Sequence, residues 1–158
     1  MKLIRANPNH LVFEIGREEK NLLFEILGLY PMISTAGQRL SRTASAEQLK
    51  EHQQLLEESL AAQRKENRRN VLALLNEPGR FHAVPPGFDL KISRPEIEWL
   101  LQVLNDIRVG SWIALGSPDT ENGEKIVLSE GTAPRIRSME LAGAFEMVLL
   151  EALAGHRT

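Results

Sequence analysis

R-F-H-A-V-P-P-G-F-D-L-K, residues 80–91, is the stretch on which the fold turns. Its two prolines remove backbone donors, its glycine favours a turn, and Phe81 and Phe88 offer apolar anchors. On that basis it is an irregular loop pinned to a core by its aromatic side chains. A loop here leaves almost everything around it helical. The expected fold is therefore mainly α, a four- to five-helix bundle with a small N-terminal β-hairpin.

Working outward, Ser93-Arg94-Pro95-Glu96 has the form of a capping box with proline in the first turn, which predicts a helix over 94–115. On the other side, residues 46–76 carry long-chain helix formers without one Gly or Pro, and Glu77-Pro78-Gly79 stops them. One long helix, or two joined by a bend, follows. Its apolar positions Leu49, Leu56, Leu60 and Val71 thin out around residues 63–70, QRKENRRN, so its centre is expected to be exposed.

Residues 34–45 form a small-residue linker, and before it a helix over 17–33 starts behind Glu18-Glu19 and is ended by Pro31. Residues 1–15 are two β-prone runs around Asn7-Pro8-Asn9, a hairpin with Leu11, Phe13 and Ile15 on one face. After a turn cluster at 116–123, residues 125–128 are either a short strand beside the hairpin or an extended connection. The last helix, 134–153, is apolar around most of its circumference and is expected at the centre of the bundle. All of this fits a single domain, residues 1–158.

A chain of 158 residues with 42% apolar and 25% charged side chains can bury a core without staples. Nineteen Lys and Arg against 21 Asp and Glu leave a formal charge of −2, so no overall field draws nucleic acid or an anionic membrane. The absence of cysteine removes disulfides, thiolate zinc sites and a cysteine nucleophile together. No apolar run approaches the length of a signal segment or a membrane span, and a cytoplasmic protein is expected.

Within residues 101–112, LQVLNDIRVGSW, one residue breaks the pattern. Ile97, Leu100, Leu101, Leu104, Ile107, Ser111 and Leu115 share one helical arc, and Arg108 falls near its middle. A buried guanidinium cannot lose its charge, so the fold must supply a partner. Asp106 projects from the opposite side. Glu146, the one acid within the apolar circumference of the last helix, is the expected partner.

Having Asn105, Asp106 and Arg108 in this order, the chain resembles a bacterial family known as domain of unknown function number twenty-seventeen. The resemblance spans most of the chain. It rests on residues 11–27, LVFEIGREEKNLLFEIL, on residues 103–116, VLNDIRVGSWIALG, and on a closing apolar helix carrying Glu146. It implies no activity, cofactor or catalytic residue. Members lie near genes for the Clp protease adaptor and a zinc metallopeptidase, which points toward regulated proteolysis.

Four histidines, at 10, 52, 82 and 156, stand without a second ligand at metal spacing, and no hydrolase elbow, phosphate loop or dinucleotide turn occurs. No metal and no cofactor are expected. Arg64, Lys65, Arg68 and Arg69 share about half of the long helix, but acids are close and no aromatic interleaves, so nucleic-acid binding is not favoured. The expected function is a non-catalytic interaction or regulatory protein with a protein partner. The long helix and the loop around Phe81 and Phe88 are its contact sites, and self-association is the other use for spare apolar faces. The alternative is a small-molecule binder or an unrecognised enzyme, with a polar pocket of Asn105, Arg108 and Glu146, and Asp106 near it.

Overall fold

The computed structural model describes residues 1–33 and 46–155. The linker expected over 34–45 lies outside the described residues, as does His156. The chain order is β1 (Lys2–Ala6), β2 (His10–Ile15), α1 (Arg17–Leu27), α2 (Ala46–Asn76), β3 (Phe81–Val84), β4 (Gly87–Ser93), α3 (Arg94–Ala114), a 3₁₀ turn (Thr120–Asn122) and α4 (Ala133–Ala154).

The expectation of a mainly α bundle is overturned. Residues 80–91 are not a loop: β3 and β4 form a hairpin, and β4 pairs antiparallel with β2, giving one four-stranded sheet in the order β1-β2-β4-β3. Among the described residues four helices stand beside this sheet, so the fold is α+β. The prolines mislead because both sit in the turn, where they remove no ladder donor. Beyond them Phe88, Leu90 and Ile92 alternate with Asp89 and Lys91, the period of a strand with one covered face. Gly87 permits the pairing, since a Cβ there would stand 2.6 Å from the Ile15 carbonyl oxygen.

The β1–β2 hairpin turns where Asn7 Oδ1 accepts from the amides of Asn9 at 2.9 Å and His10 at 2.8 Å. Leu11, Phe13 and Ile15 are paired with Ile92, Leu90 and Phe88, and their shared face is buried under the helices. The core joins that face to Leu23, Ile26 and Leu27 of α1, the inner side of α3, and Ala142, Phe145, Leu149 and Ala152 of α4.

Helix α1 ends at Leu27, earlier than the 33 expected, with Gly28 at its C-cap. Helix α4 is not central: one face packs on α3, while Met147 and Leu150 are exposed. Residues 125–128 form no strand and do not join the sheet. No helix among the described residues is long and apolar enough to cross a membrane.

Helix α2 is continuous over 31 residues, about 46 Å at the standard rise. Residues 63–70 are exposed at Gln63, Lys65, Glu66 and Arg69, as expected, but Asn67 turns inward and Arg64 and Arg68 are half-buried. Asn67 is buried and donates to the Tyr30 hydroxyl at 3.4 Å, Arg68 Nη1 donates to the Leu27 carbonyl at 3.4 Å, and Gln63 donates to Gln102 at 3.0 Å. Beyond them the apolar positions Val71 and Leu74 are buried, Val71 within the core, so the end of α2 docks as its apolar spacing indicates while the polar contacts ahead of it do not follow from that spacing. Over residues 48–62, by contrast, no side chain is buried.

Candidate functional site

The buried arc of α3 runs through Ile97, Leu100, Val103, Leu104, Asp106, Ile107, Gly110 and Ser111. At 100° per residue its centre lies roughly 50° from that of the arc expected from the sequence. That rotation exchanges the roles of two site residues. Asp106 enters the interior and Arg108 moves to the rim.

Asp106 is 9% exposed, and its Oδ1 accepts from the Met32 amide at 2.7 Å while Arg64 Nε stands 4.0 Å from Oδ2. One turn further along α3, Gly110 leaves room for Met32, whose Cβ would lie 2.5 Å from any Cβ added at 110. Ser111 completes the seat, bonding Ser138 of α4 at 2.9 Å and lying 3.6 Å from the Met32 sulfur. Asp106, Gly110 and Ser111 thus hold the segment leaving α1 against α3. Sequence reasoning missed this role, although Asp followed by Gly four residues later on one helix face marks a place where backbone comes close.

Arg108 does meet Glu146: its Nε donates to Oε1 at 3.3 Å, and its Nη2 donates to Asn105 Oδ1 at 2.9 Å. The arginine is not buried, however, with its side chain 46% exposed against 15% for Glu146. Burial pushes the Glu146 carboxyl above the usual range, and Arg108 opposes that without reversing it. An acid whose folded pKa is raised destabilises the fold above its unfolded pKa of about 4.3, and stability recovers as pH falls through the folded value. Glu146→Gln should therefore leave stability at neutral pH unchanged or raise it by up to about 1 kcal/mol, measured by urea unfolding. A loss above about 3 kcal/mol would restore the reading of a buried lock.

Beside the Asp106 seat lies an open cleft of about 650 Å³ between α2 and the chain at 31–33. Arg64, Lys65, Arg68 and Arg69 rise from its α2 wall, Met32 and Ile33 face them, and Leu72 closes one end. Among the described residues no carboxylate lines it. Arg64 and Arg68 are partly held, by Asp106 and the Leu27 carbonyl, whereas Arg69 pairs, among the described residues, with Glu66 on the exposed surface at 3.8 Å. Two further cavities lie at the start of α4 and beside Trp99, so none of the three includes Asn105, Arg108 or Glu146.

The aromatic contact surface expected around Phe81 and Phe88 is already engaged. The Lys20 ammonium sits 4.1 Å from the Phe88 ring centre and 5.0 Å from that of Phe81, and Phe81 packs on Phe24 at 5.3 Å. Among the described residues no group of three His, Asp or Glu side chains could hold a metal ion. No family model matches the chain, and neither a curated protein nor a solved structure matches it.

Proposed function

We propose that this is a non-catalytic interaction or regulatory protein that presents α2 to a protein partner. The observation that carries this is the first half of α2. Residues 48–62 remain helical with no side chain buried, and Leu55 is 65% exposed. Bonds such as Gln54 to Glu58 at 3.3 Å add only tenths of a kcal/mol each, and Leu49, Leu56 and Leu60 are only half-buried. An arm of this kind suits docking. The family resemblance suggests a bacterial, cytoplasmic setting and regulated proteolysis as the process served.

The test is affinity capture of the full chain from its source organism under gentle conditions, beside a Leu55→Asp variant. Since Leu55 faces solvent, the variant should fold as the parent does. A partner in stoichiometric amount, retained by the parent and lost by the variant, is the expected result. A lone monomer, or retention indifferent to Leu55, overturns the proposal.

A further inference from the structure

The second half of α2 carries a more specific feature, and its reading rests on the proposal that α2 is the docking element. We infer that the cleft between α2 and residues 31–33 binds an acidic amphipathic peptide segment, with carboxylates on the α2 cations and an apolar side chain seated against Met32, Ile33 and Leu72.

Charge sets the first half of this. Arg64 and Arg68 form one row along α2 and Lys65 and Arg69 another, each pair separated by about 6 Å of helix rise. Among the described residues, Lys65 and Arg68 have no carboxylate within ion-pair distance, and the Arg64 contact with Asp106 lies at the limit. The connecting residues 34–45 add Arg39 and Arg42 and no acid, so by sequence the chain's own linker brings no countercharge. The net charge of the whole protein is −2, yet this cleft is locally cationic.

The floor of the cleft sets the second half. Met32 and Ile33 are half-buried and held from beneath by Asp106 and Gly110, so the apolar seat is fixed before anything binds. An apolar seat has no use for a phosphodiester backbone, and among the described residues no aromatic side chain lines the cleft on which a base could stack. A volume of about 650 Å³ takes several side chains of a peptide, within the range of ordinary ligand sites. Planar guanidinium groups fixed at their inner ends suit carboxylates.

The probe is an array of short peptides that combine Asp or Glu with Leu, Ile or Phe, matched to arrays in which each acid is replaced by Asn or Gln. Poly-deoxythymidylate and phosphatidylglycerol vesicles serve as competitors. The full chain should bind the acidic apolar peptides roughly tenfold or more tightly than their neutral matches, and weaken as salt rises through about 0.15 M. Lys65→Glu with Arg69→Glu should lower affinity by roughly tenfold or more, because both side chains are on the exposed row and hold no part of the fold. Leu72→Ser should weaken acidic peptides that carry a large apolar residue and leave purely acidic ones unchanged. Equal binding of neutral peptides, unchanged affinity in the double variant, or equal competition by oligonucleotide or vesicles overturns the inference. A double variant that retains its captured partner while the array shows no acid preference sinks the cleft and leaves the docking role of α2 standing.

Discussion

Glu96→Ala should lower folding stability by about 3 kcal/mol, the largest loss expected from any single carboxylate in this fold. Glu96 does three things at once. Its two oxygens take Arg80 Nη1 and Nη2 at 2.7 Å each, a bidentate pair, and Oε2 also accepts the Ser93 amide at 2.8 Å to close the capping box of α3. Arg80, 14% exposed, further donates to the Lys91 carbonyl at 2.9 Å and pairs with Glu77. One guanidinium thereby joins the end of α2, strand β4 and the start of α3.

Removing Glu96 leaves Arg80 half-satisfied in a site where, among the described residues, its Nε already has no partner. Glu77 remains, so the loss belongs at the lower end of the range for breaking a buried pair. Urea unfolding followed by circular dichroism should show a lower midpoint at unchanged slope. Glu77→Ala, at a half-exposed carboxylate, should cost no more than about 1 kcal/mol. Arg80→Met combined with Glu96→Leu should recover much of the loss, since an apolar pair leaves no stranded charge. A Glu96→Ala chain within 1 kcal/mol of the parent, by the same magnitude, would show the bracket to be idle.

The pH dependence has a definite sign. Burial pushes the Glu96 carboxyl upward, but Arg80 and the Ser93 groups outweigh it and hold the net value below the usual range. For an acid lowered in the folded state, the stabilisation is fully present above its unfolded pKa of about 4.3 and is lost as pH falls through the folded value. Arg80 does not titrate in that window. The parent should therefore lose stability more steeply on acidification than Glu96→Ala does.

How much of this was legible follows from where apolar periodicity carries the information. Ser93 and Glu96 announce the start of α3 because a capping box is a local pattern, and the observed bonds are its two reciprocal contacts. The first hairpin is equally local. The second was hidden because Pro85-Pro86-Gly87 dominates residues 80–91, while Leu90 and Ile92 acquire meaning as a strand only beside Leu11 and Phe13. Docking of α2 was legible only in part: Val71 and Leu74 are buried as their spacing indicates, but Arg64, Asn67 and Arg68 read as a solvated face, and only Tyr30, Leu27 and Asp106 turn them inward. The Arg108 contact with Glu146 could be found from helical wheels. Its exposure could not, since that depends on which neighbours cover α3.

Gly110→Ala should destabilise the protein by about 2 kcal/mol, although helix propensity alone argues for a gain of about 1. The new Cβ would lie 2.5 Å from Met32 Cβ, an atom rooted in the backbone that cannot swing aside. The chain at 31–33 must retreat, and it can do so only by stretching the 2.7 Å bond from the Met32 amide to Asp106. Gly143→Ala on the facing helix is the control, since its Cβ would meet only Arg108 Cδ at 3.6 Å, an ordinary contact. There propensity should prevail and stability rise by up to about 1 kcal/mol. Asp106→Leu should cost about 2 kcal/mol by leaving a half-buried amide unpaired, and Asp106→Asn less, because an amide oxygen still accepts. Hydrogen exchange at the Met32 amide separates this seat from general loosening: protection there should fall further than in β4 in both Gly110→Ala and Asp106→Leu. A Gly110→Ala chain more stable than the parent, with Met32 still protected, would show that the segment yields freely and that the floor of the cleft is not fixed by α3.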